Sequence, residues 1–407
     1  MSSASDDGPA ASAHRSTAII FVSHALLFAS WTAHIPQLKH SLGLTNADLG
    51  LALFGAPIGS VLAMLFMGRL LNRYGSKRLV QVTLAGYCLT GFSVGLAGSQ
   101  PALFATLLTW GVFHGSLDVS MNTQGVSVER ARAVPIMSGL HGAWSVGGFI
   151  GAGLGALAVG VGIPLSGQLA AFAICIALVA GWSTRALLPD PHHQRSPVDP
   201  AQPSNILLHP GILILGAVAL ACMFCEGAAA DWSAVYLRDS LGAQPAVAGL
   251  GYAAFAATMV IFRLSGDRLL MRFRPSVLLP ILASVATLTL IGTLIVGSPF
   301  AALVGFGSLG VGMALVIPTV FSIAGRLPGV KTGPAVAAVS ALGWIGFVGG
   351  PPIIGLLSER ATLPVTLALL PVLTATIAIA TRFSPALRDR TVPEQSASLN
   401  LAEHEAH

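Results

Sequence analysis

RLLNRY, residues 69–74, returns almost unchanged as RLLMRF at 268–273. Working outward from these two stretches, SWTA at 30–33 returns as DWSA at 231–234, and VGG at 146–148 returns at 348–350. The offset stays near 200 residues, so the chain reads as two copies of one unit. What kind of unit it is depends on the solvent around it.

The composition answers that. Of the 407 residues 54% are hydrophobic and only 9% charged, and the mean hydropathy is +0.77. A soluble chain needs about 25% charged residues, so the solvent here is lipid. The sequence pI of 9.3 raises the question of a nucleic-acid partner. The basic residues form no stripe and no patch interleaved with aromatics, which excludes that class. They fall instead in short clusters between apolar runs. The four cysteines (Cys88, Cys175, Cys222 and Cys225) all lie inside apolar runs, which argues against a secreted disulfide framework. Residues 1–15 read as a disordered polar tail. A signal peptide could be drawn from Arg15 to the small residues near Ser30, but the run outlasts an ordinary signal core and many more spans follow.

At about 20 apolar residues per span, spans are expected at 16–36, 47–68, 79–98, 101–124, 135–161 and 164–186. A second set follows at 208–237, 244–264, 276–297, 299–325, 333–357 and 363–382. The Pro-rich polar stretch within 189–207 reads as a linker between a first bundle, 16–188, and a second, 208–382, with a tail at 383–407. With the N-terminus inside, every Lys and Arg except Lys39, Arg238 and Arg360 falls on the cytoplasmic side. That bias predicts a cytoplasmic-membrane protein with both termini inside. Six spans per copy make the repeats parallel, so their pseudo-two-fold axis stands along the membrane normal and a site is expected between the bundles. The fold class is an all-α membrane protein of twelve helices in two six-helix bundles.

GRLLNRYGSKRL, residues 68–79, resembles the G-x-L-x-D-R-x-G-R-K-x-x-L loop signature of the major facilitator superfamily. Gly68, Leu70, Arg73, Gly75 and Lys77 fit it, while Asn72 replaces the acid and Ser76 a basic residue. IPQLKHSLGLTN at 35–46, RLSGDRLLMRF at 263–273, PTVFS at 318–322 and DVSMN at 118–122 resemble its fucose permease branch. The resemblance implies alternating access by rocking of two bundles, usually driven by protons, with the first, fourth, seventh and tenth helices lining the cavity. It also implies gating roles for Gly68, Asn72, Arg73 and Gly75 in the first loop. The branch's first-helix acid falls at Thr32, which carries no proton.

Apart from Asp48 at the very edge of the second span, three of the sixteen acids lie inside spans: Asp118, Glu226 and Asp231. A charge at the centre of a membrane helix costs roughly 2.5–3.5 kcal/mol on insertion scales, so each needs a partner or a watery cavity. Trp110, His114, Asp118 and Asn122 recur every fourth residue and so share one slowly turning helix face. Facing a cavity, that stripe would bind solute or proton; the plainer reading is that Asp118 hydrogen-bonds neighbouring helices. At 1.5 Å per residue Asp118 lies about 25 Å into its span, a depth similar to that of His141, about 9 Å inside the fifth span from the other side. His141 is therefore a candidate partner of the acid, or else a helix-packing histidine in a glycine-rich span. Glu226 is the favoured cavity acid of the second half, and Asp231 is expected at the rim. His24, Trp31 and Trp232 are candidates for the cavity wall or for ordinary packing. Arg263, Asp267 and Arg268 flank the second-half loop and are expected to form a gate.

No cofactor or metal is expected. Cys222 and Cys225 make a C-x-x-C without two further ligands, and no phosphate-binding G-x-x-x-x-G-K-[ST] loop occurs to couple ATP. The reading is a monomeric secondary transporter of a small polar solute, sugar-like, coupled to protons. Proton-driven efflux of an amphipathic compound is the alternative within transport. A membrane-embedded enzyme using His114 and Asp118 is the alternative of another class, but it lacks a nucleophile motif, a zinc pair and a soluble domain.

Overall fold

The computed structural model describes residues 8–134, 136–189, 208–328, 330 and 332–384. Within them, the apolar runs fold into helices that pack antiparallel in sequence. Their order is α1 (Pro9–Ser41), α2 (Asn46–Tyr74), α3 (Ser76–Val94), α4 (Gln100–Arg132), α5 (Met137–Gly160) and α6 (Leu165–Ala186), then α7 (Pro210–Ser240), α8 (Pro245–Arg272), α9 (Pro275–Val296), α10 (Pro299–Ala324), α11 (Thr332–Arg360) and α12 (Leu363–Phe383). Eleven of these are long and apolar enough to cross a membrane. The twelfth, α3, has 19 residues and is more polar, but its polar groups are satisfied by neighbours. Ser76 Oγ donates to Gln124 Oε1 at 2.6 Å, and Lys77 Nζ donates to the carbonyls of Arg185 and Leu187 at 2.9 and 2.8 Å. Satisfied polar groups are what a low-dielectric surround demands.

The packing repeats with the sequence. In the first bundle α1 packs on α5, α2 on α4 and α3 on α4; in the second α7 packs on α11, α8 on α10 and α9 on α10. Between bundles α5 packs on α8 and α11 on α2, contacts that exchange under the same two-fold operation. A parallel repeat therefore explains the whole arrangement. Helices α1 and α5 meet backbone to backbone: Cβ atoms at Gly147, Gly151 and Gly155 would strike the carbonyl oxygens of Val22, Leu26 and Ser30. In α11, Gly346 faces the Leu220 carbonyl of α7 in the same way. Small residues allow such approaches where lipid gives no hydrophobic drive.

Call the end where α1 begins and α12 finishes the near end, and the opposite one the far end. At the far end Asp239 of α7 accepts from Lys39 Nζ at 2.6 Å and pairs with His40 Nε2 at 2.8 Å, both from α1. Beside it Glu359 Oε1 of α11 accepts from the Ala47 backbone N–H of α2 at 3.1 Å.

Several expected boundaries move: α2 runs on to Tyr74 and α4 to Arg132, past the expected 68 and 124. Residues 9–15, read as tail, are the opening turns of α1: proline at the first position followed by alanines and serines starts a helix well, and Ala13 is fully buried. Helix α8 runs on to Arg272 instead of ending near 264. The linker segment 190–207 and the tail 385–407 lie outside the described residues.

Candidate functional site

Between the bundles lies a cavity of about 220 Å³. Each wall is a helix face legible at helical spacing. From α1 come His24, Phe28 and Trp31; from α4 come His114 and Asp118; from α7 come Met223, Glu226, Ala230 and Asp231. Helix α8 supplies Tyr252, Phe255, Ala256, Met259 and Arg263, while α2, α5 and α11 close the sides with Ser60, Trp144, Ser145, Trp344 and Phe347.

In the first bundle the polar side chains are tied together by rings. His24 and His114 stack with centroids 4.2 Å apart, and Trp144 Nε1 donates to His24 Nδ1 at 3.1 Å. An indole N–H only donates, so His24 Nδ1 accepts and the neutral ring carries its hydrogen on Nε2. Asp118 accepts from Asn122 Nδ2 twice, at its backbone carbonyl (2.8 Å) and at Oδ1 (3.3 Å). Both bonds come from its own helix. In the second bundle Glu226 pairs with Arg263 at 3.4 Å, and Arg263 also reaches Ser145 Oγ of α5 at 3.5 Å and the Ala314 carbonyl at 3.4 Å. Arg263 therefore links the bundles at cavity level.

The expected site residues divide accordingly. Asp118, His114, Glu226 and Trp31 line the cavity. Asn122 stands behind Asp118, and Trp110 is buried beneath the wall, stacked on Tyr87 at 5.5 Å and edge-on to Trp31 at 6.0 Å. Trp232 is fully buried in the second bundle's core. His141 does not meet Asp118. Helix α1 packs between α4 and α5, and His141 lies exposed with its ring edge-on to Phe21 of α1 at 5.6 Å. Asp231, expected at the rim, lines the cavity. Arg263, expected in a gate, lines it too, because α8 continues nine residues further and leaves the guanidinium about 13 Å from the helix end. Thr32 is buried, its hydroxyl donating to the Ala29 carbonyl at 2.9 Å. Gly68, Asn72, Arg73 and Arg268 are exposed, and the guanidinium of Arg73 lies 5.2 Å from the Tyr74 ring. Gly75 terminates α2 with φ of 76°, a left-handed value that suits glycine. The side chain of Asp267 is outside the described residues. Tyr252 and Arg263 were findable: 252, 255, 256, 259 and 263 fall on one face of a 3.6-residue helix.

Two pseudo-symmetric six-helix bundles enclosing a central cavity with charged walls define a polytopic membrane transporter. A family model described as Major Facilitator Superfamily matches residues 17–331, and the chain belongs to that family. An uncharacterised MFS-type transporter of Yersinia pestis is 32% identical over 383 residues, covering 92% of this chain and 96% of that protein. Among solved structures, a point mutant of the nucleoside transporter NupG superposes with a TM-score of 0.73 at 13% identity, covering 90% of this chain and 98% of its own. A D-xylose–proton symporter follows at 0.70 and 13%, covering 92% and 99%. FucP in its outward conformation superposes at 0.60 and 16%, covering 91% and 98%, in keeping with the fucose permease resemblance. At such identities the three structures speak to the fold. The family and the relatives are transporters, which points away from catalysis.

Proposed function

We propose that this protein is a proton-coupled secondary transporter that takes up a small polar, sugar-like solute through the cytoplasmic membrane by alternating access. The near end then faces the cytoplasm, as the Lys and Arg distribution favours, and the bundles are caught closed at the outer, far end. The observation that carries the reading is that two of the acids facing the cavity, Glu226 and Asp118, keep different company. The charge of Glu226 is balanced by Arg263 at 3.4 Å, whereas the hydrogen bonds Asp118 receives come from Asn122, a neutral amide. A proton arriving at or leaving Asp118 changes the charge of the cavity without breaking an ion pair. The aromatic walls suit a ring-shaped solute, because sugar C–H faces pack on indoles and phenols, and the cavity has the volume of a monosaccharide-sized solute. The solved sugar and nucleoside transporters of the same fold support that class.

Asp118→Asn mimics the protonated acid. In proteoliposomes with an imposed pH gradient, the variant should fold and still exchange solute, but fail to accumulate it against a gradient. Full accumulation by Asp118→Asn would remove Asp118 from the coupling step.

A further inference from the structure

The cavity holds an acid that this reading does not use. Its walls carry three carboxylates, Asp118, Glu226 and Asp231, against one guanidinium, Arg263. Arg263 balances Glu226, and the coupling proton of the reading above neutralises Asp118. One carboxyl group remains with neither the arginine nor the coupling proton, that of Asp231. It lies five residues beyond Glu226 on α7, and Tyr252 of α8 lines the same cavity as both acids. A lone carboxylate in a site with low-dielectric walls is expensive unless something of opposite charge sits beside it.

The rings of Trp344, Phe347 and Tyr252 in the same lining add faces that attract a cation.

We infer that the transported solute carries one protonated amine, and that Asp231 takes the ammonium group. This rests on the transport reading above and narrows its sugar-like solute to a singly charged cation. Asp231 is thereby a binding residue, distinct in role from the proton-carrying Asp118.

The test separates the two. Purified protein in nanodiscs is titrated at neutral pH with D-glucosamine, whose amine is then protonated, and with D-glucose and N-acetyl-D-glucosamine, which share the ring without the charge. The three cavity tryptophans, Trp31, Trp144 and Trp344, report binding by fluorescence. D-glucosamine should bind, and the two neutral sugars should bind at least tenfold more weakly. Asp231→Asn should weaken D-glucosamine at least tenfold, with Asp231→Glu restoring most of it and size-exclusion profiles showing both variants folded. Equal binding of the neutral sugars, indifference of D-glucosamine to Asp231→Asn, or silence with all three sugars would each overturn the assignment. Accumulation of D-glucose in proteoliposomes under a pH gradient, undisturbed by Asp231→Asn, would sink the amine inference while leaving proton-coupled transport standing. Failure of the pH gradient to drive any accumulation, with amine binding intact, would do the reverse.

Discussion

At the residue scale the central object is the Glu226–Arg263 pair. Each side chain is 25% exposed, and the partners stand 3.4 Å apart. That places the pair between exposed bridges, which contribute about 0–1 kcal/mol, and buried ones, whose breaking costs about 3–5 kcal/mol. Glu226→Gln should lower stability by about 1–2 kcal/mol, because it takes away the ion-pair partner of the cavity guanidinium. The double variant Glu226→Gln/Arg263→Gln should recover most of that loss, as thermal unfolding in detergent would show. Losses that simply add would mean the two side chains are stabilised independently. The sequence exposed one partner and hid the other. Glu226 stood out as an acid in an apolar run, but Arg263 sits beside charged residues 267, 268 and 272 and so resembled a loop residue. The stripe on α4 was legible for a related reason and misleading at its ends. Each four-residue step overshoots a full turn by about 40°, so the face wanders by about 120° from Trp110 to Asn122. Only His114 and Asp118, in the middle, line the cavity.

At the scale of elements, the glycines of α5 decide how closely two helices approach. Gly147, Gly151 and Gly155 meet the carbonyls of Val22, Leu26 and Ser30, both series advancing four residues at a time. Two parallel helices in register explain that match. Gly151→Leu would drive a side chain into the Leu26 carbonyl and push α1 from α5, so expression or thermal stability should fall. Gly153, whose Cβ would meet nothing within 4 Å, is the control: Gly153→Leu should be tolerated. Equal tolerance at both positions would mean the backbone contact contributes little. The sequence showed this helix as tightly packed, because small residues at fixed spacing have that one use in lipid. It did not show the partner. His141 was placed near Asp118 by depth alone, and depth says nothing of a third helix lying between. Span number was similarly legible from hydropathy, whereas the start of α1 and the end of α8 were not, since helices continue past the apolar core in residues that hydropathy discounts.

At the scale of the whole molecule, the two-fold operation brings the far ends of α1 and α7 together at its axis, where Lys39 and Asp239 carry opposite charge. Lys39 and His40 hold Asp239 from one side, with Lys39 and Asp239 only 13% and 17% exposed. The neighbouring α2–α11 contact is held by Glu359 on the Ala47 N–H. Charge-assisted hydrogen bonds contribute roughly 1.5–3 kcal/mol each, and about 1.4 kcal/mol shifts a two-state equilibrium tenfold. Bonds made only while the far end is closed therefore bias the protein toward that state. Asp239→Asn removes the charge and keeps the shape, so it should favour opening at the far end. Leu53, on the far half of α2, lines the cavity and is nearly buried, which makes it a reporter. In a background with Cys88, Cys175, Cys222 and Cys225 replaced by alanine, Leu53→Cys should react slowly with a membrane-impermeant maleimide added outside whole cells. Adding Asp239→Asn should speed that reaction roughly tenfold, whereas Arg73→Gln, at the opposite end of the same helix, should not. Reaction from the cytoplasmic side alone would reverse the orientation, and an unchanged rate from outside would show that the closed state is held by helix packing rather than by the charge at Asp239.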